Sequence, residues 1–172
     1  MTDSAKQKGQ QWLESLLKLA GVSAGVKATE DSSASNSQDE EVKNYWLTID
    51  ATNLTPKQVE NLIGFQGAVL DGIQYLANAA LNLGQKEQQA FYTIELNGYR
   101  AKRQAELQEL ASSAAQQVLE SGKEVEIKSL SSAERRQIHT ILQDYEELET
   151  FSKGKEPHRH LVVRRLQPTA DE

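Results

Sequence analysis

Apolar residues near the start of the chain recur at helical spacing. Across residues 9–20, Trp12, Leu13, Leu16, Leu17 and Ala20 fall on one face and predict an amphipathic helix, with Gly21 as its stop. Residues 22–28 have the length and character of a short strand. Residues 29–42 are rich in Ser and acid and poor in apolar side chains, so they cannot bury enough surface to offset the entropy of ordering. They are expected to form a disordered loop. The period then changes to two: Tyr45, Leu47 and Ile49 alternate through residues 43–50, which predicts a strand.

Helical spacing returns at Thr55-Pro56. Thr55 can cap, Pro56 suits the first turn, and Gln58 completes a capping box. Val59, Leu62 and Ile63 form the apolar face of this helix, and Gly64-Phe65-Gln66-Gly67 interrupts it. A second helix runs to about residue 82, with Leu70, Ile73, Leu76, Ala77, Ala80 and Leu81 at helical spacing, and residues 90–96 alternate as a strand. The longest helix is predicted over residues 98–121, where Leu107, Leu110, Ala111, Ala114, Ala115 and Val118 make a continuous stripe. Gly122 ends it, and a short strand follows at 124–127. Ser131 and Glu134 form a second capping box, opening a helix to about residue 144. Residues 148–152 and 160–165 read as paired strands joined through Lys153-Gly154-Lys155-Glu156-Pro157. No internal repeat is present. The fold class is α+β: one module of helix, two strands, two helices and a strand over residues 9–97, then a second α/β module over 98–166, with 167–172 as a disordered tail.

Composition narrows this picture. A chain of 172 residues has room for one medium domain or two small ones. No apolar run approaches the ~20 residues that span a bilayer, and no apolar stretch of the kind found in secretory signals follows the first residues. The absence of cysteine removes disulfides, thiol catalysis and Cys-based zinc sites, and fits a cytoplasmic location. The net charge of -6 runs against phosphate binding, but it is uneven. Setting aside five acids in residues 30–41 and two in the tail leaves 19 bases against 18 acids, and 12 of those bases lie in residues 98–166. Screening limits the reach of a charge to ~8–10 Å, so local charge decides.

Four constellations can carry chemistry. Gly64-Phe65-Gln66-Gly67 lies between two helices, where glycines let the backbone approach a ligand and the next helix offers N–H groups to a phosphate. A plain helix–helix turn has the same spacing. Arg135 and His139 are four apart on one helix face, a guanidinium fork beside a donor or stacking ring; a solvated helix edge is the bland counterpart. In the last strand Arg159 and Arg165 share one face and His160 and Arg164 the other, either tracking a backbone or guarding an edge. Arg100, Lys102 and Arg103 open the long helix, where cations oppose the helix dipole. Such placement calls for a phosphate, an acidic partner or a salt bridge within the fold. His158 and His160 have no Asp or Cys beside them, so no metal site is expected. There is no P-loop, nucleophile elbow or HExxH, so no catalytic residue, cofactor or enzymatic activity is expected.

Together these segments resemble the Jag/KhpB family, also called SpoIIIJ-associated proteins. Residues 62–78, from Leu62-Ile63-Gly64 to Leu76-Ala77-Asn78, look like its KH core. Tyr99-Arg100-Ala101-Lys102-Arg103 looks like its linker helix. Residues 133–139 and 150–159 look like its C-terminal Arg-x-x-x-His domain. The resemblance runs from about residue 9 to 166, with the motifs in order. It implies a type II KH-like fold followed by an Arg-x-x-x-His domain that binds single-stranded nucleic acid. RNA is the expected ligand and single-stranded DNA the alternative. The implied contact residues are Gly64, Phe65, Gln66, Gly67, Arg100, Arg103, Arg135, His139 and Arg159. It further implies post-transcriptional regulation linked to cell envelope growth or division, and a small single-KH protein as partner.

Three departures stand out. The family's loop usually carries a base between its glycines, where this chain has Phe65-Gln66. Residues 51–97 hold only Lys57 and Lys86 against four acids. An acidic Ser-rich loop is inserted at 29–42, and the separate N-terminal domain of many members has no counterpart in this sequence. These features raise a second expectation, a protein-interaction adaptor with weak or lost RNA affinity.

Overall fold

A computed structural model describes residues 4–31, 43–85 and 89–166. The chain divides into two compact units, Met1–Arg100 and Ala101–Glu172. The first contains α1 (Ser4–Leu19), β1 (Val26–Glu30), β2 (Lys43–Ile49), α2 (Pro56–Ile63), α3 (Ala68–Leu81) and β3 (Ala90–Leu96). Helix α4 (Tyr99–Ser121) begins at its end, and β4 (Val125–Ile127), α5 (Ser132–Leu142), β5 (Leu148–Lys153) and β6 (His160–Arg165) follow. The architecture is α+β.

Two boundaries differ from the sequence reading, each for a tertiary reason. Helix α1 starts five residues earlier than its apolar period, because Gly9 is not a start signal but a packing site. A Cβ there would lie 2.5 Å from the Tyr92 ring. The Tyr92 hydroxyl also donates to Ala5 O at 3.0 Å, tying down the added turn. Thr29 and Glu30, assigned by composition to the disordered loop, complete β1 instead, opposite Trp46 and Tyr45. Asp31 then accepts a hydrogen bond from Trp46 Nε1 at 3.1 Å. The remainder of the expected loop, 32–42, and the tail at 167–172 lie outside the described residues.

The first sheet has the order β1-β2-β3, with β1 antiparallel and β3 parallel to β2. A parallel pair needs a long crossover, and α2 and α3 supply it. The alternation sets one face inward: Tyr45, Leu47 and Ile49 stand opposite Tyr92, Ile94 and Leu96. The Tyr45 and Tyr92 rings stack at 5.8 Å. Leu13 and Leu17 of α1, Leu62 of α2, and Leu70 and Ala77 of α3 close the core over that face.

The outer edge of β3 is covered by side chains of α3 at four-residue spacing. Asn82 exchanges hydrogen bonds with Ala90, donating to its O at 2.8 Å and accepting from its N at 2.9 Å. Asn78 does the same with Tyr92, at 2.8 Å in both directions. Gln74 Oε1 accepts from Ile94 N at 3.0 Å. An edge strand normally exposes these groups to another chain. Here a helical ladder of amides occupies them.

In the second unit the strand order is β4-β6-β5, all antiparallel. Leu161 and Val163 of β6 meet Leu107, Ala111, Ala114, Ala115 and Val118 of α4, and Ile138 and Leu142 of α5. Leu110, part of the predicted stripe, is exposed at its margin.

Asn78→Leu keeps the side-chain size but strips both bonds from Tyr92. We expect a loss of about 1–3 kcal/mol for each backbone group left unpaired, read by urea denaturation. The Tyr92 amide should also exchange faster with solvent.

Candidate nucleic-acid interface

The site of the second unit starts from the cap of α5. Ser131 Oγ accepts from Glu134 N at 3.2 Å, and Glu134 Oε2 accepts from Ser131 N at 2.8 Å. This capping box fixes the phase of the helix. Arg135, Ile138 and Leu142 then face inward and are buried, whereas Ser132, Arg136 and His139 face out.

Arg135 is the buried charged residue of the core, 4% exposed. Its Nη1 donates to Leu130 O at 2.7 Å and to Arg159 O at 3.2 Å. Its Nη2 donates to Glu156. A buried guanidinium is tolerated only when its donors are used, and these bonds tie α5 to the turn before β6. His139 is exposed, with Nδ1 hydrogen-bonded to Thr150 Oγ1 on β5. Arg136 and Arg159 are exposed, and among the described residues their side chains have no hydrogen-bond or ion-pair partner.

These residues line one cleft of about 370 Å³. Arg135, Arg136 and His139 come from α5, Thr150 and Ser152 from β5, and Arg159 from the turn. The structure therefore brings the predicted Arg135, His139 and Arg159 together. It adds Arg136, Ser132 and Ser152, which sequence reasoning missed. The missing signal was helical phase: Ile138 and Leu142 place Arg135 on the core side and Arg136 four residues after Ser132 on the other.

On the opposite face of this sheet, Arg164 lies 4.9 Å over the Phe151 ring and donates to Glu149 at 2.6 Å. The Glu126 carboxyl on β4 is held below its ordinary value, chiefly by a hydrogen bond from Lys128.

The other predicted residues lie elsewhere. In the 64–67 loop, Gly64 N donates to Glu60 O at 2.8 Å and Gly67 N to Gly64 O at 3.3 Å. Gln66 and Gly67 both take left-handed angles, φ 50° and φ 82°. Gly67 is required twice over, since a Cβ there would lie 2.5 Å from the Tyr99 hydroxyl. Phe65 projects outward, 78% exposed. Arg100 Nε donates to Ile94 O at 3.1 Å, Nη2 to Gln74 Oε1 at 3.2 Å, and Nη1 to Asp71. Arg103 pairs with Glu134 at 2.7 Å and Glu106 at 3.1 Å. The cations that open α4 against its dipole have thus found carboxylates within the fold.

Residues 105–165 match the Arg-x-x-x-His domain family, which is named for an arginine and a histidine separated by three residues. That signature is Arg135 to His139 here. The chain is 34% identical over 115 residues to the RNA-binding protein KhpB of Bacillus subtilis (strain 168), covering 64% of this chain and 54% of that protein. It is 35% identical over 102 residues to the protein of that name from Lactiplantibacillus plantarum, covering 59% of this chain and 31% of the relative. Against that from Streptococcus pneumoniae serotype 2 (strain D39) it is 36% identical over 103 residues, with the same coverage of 59% and 31%. The chain spans about half or less of the length of these curated relatives.

The two neighbouring arginines should separate cleanly. Arg135→Ala strands two carbonyls and is expected to lower the stability of the second unit by about 2–4 kcal/mol. Arg136→Ala, at an exposed position, should stay within about 0.5 kcal/mol of the parent. Thermal melts of the two variants check this.

Proposed function

The chain belongs to the KhpB (Jag) family, and from that premise we propose that it is a single-stranded nucleic-acid-binding protein whose ligand is RNA. The observation that carries this reading is the cleft of the second unit. Two guanidiniums that are unpaired among the described residues, Arg136 and Arg159, stand there beside His139 and the hydroxyls of Ser132 and Ser152. A guanidinium fork matches phosphate geometry, and charge-assisted hydrogen bonds to phosphate are roughly twice as strong as neutral ones. In this assignment Arg136, Arg159 and His139 touch the strand. Arg135 is a positioning residue, because its Nη donors are already used within the fold.

The first unit is read as a type II KH-like module, with the 64–67 loop as its contact to the strand. Its helix, strand, strand, helix, helix, strand order supports that reading. Arg100 and Arg103, engaged by Asp71, Glu134 and Glu106, are assigned to holding the fold. RNA is preferred to DNA because the relatives are named for RNA binding. The proposed role is post-transcriptional regulation in the cytoplasm, linked to cell envelope growth or division. No catalytic step, cofactor or metal is assigned. Among the described residues no helix is long and apolar enough to cross a membrane.

One further surface favours a protein partner. Val69, Tyr75 and Leu76 of α3, and Leu83 just beyond it, are exposed, and Asp71 is the single charge within that helix. This face supports docking of a small single-KH protein. It is also the basis of the second reading, an adaptor with little RNA affinity.

Fluorescence anisotropy with labelled single-stranded RNA and its DNA equivalent, across a salt series, tests the proposal. Affinity should fall with salt at a slope of about -0.7 per phosphate contact. The double variant Arg136→Ala/Arg159→Ala should flatten that slope by about 1.4 and weaken binding evenly across sequences. Binding that is absent at low salt, beside a tight protein complex, would favour the adaptor.

A further inference from the structure

We infer that the 64–67 loop holds its strand by stacking a base on Phe65, and not by a charged grip on the backbone. The inference deepens the single-strand reading above and rests on it.

The usual chemistry of a phosphate clamp is occupied or missing at this loop. Three of its backbone donors are satisfied internally: Gly64 N by Glu60 O, Gly67 N by Gly64 O, and Ala68 N by Phe65 O. The start of α3, where a phosphate would meet the helix dipole, carries Asp71 in its first turn. That carboxylate complements the dipole itself and repels an anion. Arg100, whose guanidinium reaches Asp71, is bound by Asp71, Gln74 and the Ile94 carbonyl. Lys57 on α2 is paired with Glu60 at 2.9 Å. The loop itself, Gly64-Phe65-Gln66-Gly67, contains no cation.

What the loop does offer is a flat apolar ring. The left-handed turn at Gln66 and Gly67 leaves Phe65 at the tip, 78% exposed. On either side stand residues with little bulk or charge, Gly64, Gln66 and Gly67. A strand can pass close to such a backbone and lay one base on the ring. Stacking of this kind tolerates any base, because every base has a π face. It also leaves no trace in the salt dependence, because no counterion is released.

The test uses the full chain, labelled single-stranded RNA and an otherwise identical oligomer with abasic sites along its length. Phe65→Ala should weaken RNA binding about 5- to 100-fold while leaving the salt slope unchanged. Phe65→Trp should bind as well as the parent or better. The abasic oligomer should cost the parent about the same factor and cost Phe65→Ala little, since both remove one interaction. Circular dichroism melts should match throughout, because the ring is exposed. Parent-like RNA affinity in Phe65→Ala overturns the inference and leaves the single-strand reading intact, with Phe65 then an anchor for protein. A loss accompanied by a flatter salt slope also overturns it. If the parent binds neither RNA nor DNA at low salt, the single-strand reading and this inference fall together.

Discussion

The cleft of the second unit depends on one guanidinium. Arg135 joins three pieces of chain that are distant in sequence: the approach to α5 through Leu130 O, the turn through Glu156, and the residue before β6 through Arg159 O. Burying that group costs several kcal/mol unless its donors are used, so the bonds and the burial support each other. They also decide the division of labour. The arginine that carries the signature holds its neighbours in place, and the neighbours face the solvent.

The same logic explains how an acidic chain can present a basic site. Most of its arginines are matched by carboxylates: Arg100 by Asp71, Arg103 by Glu134 and Glu106, Arg135 by Glu156, Arg164 by Glu149. Exposed pairs of this kind contribute little stability. Their effect is to confine unpaired guanidinium charge to a small area around Arg136 and Arg159. The net charge of -6 is then a statement about the rest of the surface, not about the cleft.

Much of the fold was legible because its elements announce themselves. Thr55-Pro56 with Gln58 and Ser131 with Glu134 form the capping boxes their spacing predicts. The alternation in β2 and β3 places its apolar residues in the core. What escaped were effects between elements. Gly9 looks like a helix breaker until Tyr92 is laid across it. Thr29 and Glu30 have the composition of a loop, yet strand pairing takes them. At the site, a motif drew attention to Arg135 and hid Arg136 beside it. Only the phase of the buried Ile138 and Leu142 tells the two apart.

The amide ladder between α3 and β3 has a consequence for the loop that precedes it. Asn78 and Asn82 each donate and accept at a single residue of the strand, so α3 has one position along β3 at which all its bonds form. A slip by one residue would break them together. The strand thus acts as a ruler for the helix, and the tip that carries Phe65 inherits its location from contacts more than a turn away. A carboxylate has the shape of these amides but not their donor. Spontaneous deamidation of Asn78 or Asn82 would turn a bond to a carbonyl into a repulsion, and the ageing of an asparagine would be felt at the loop.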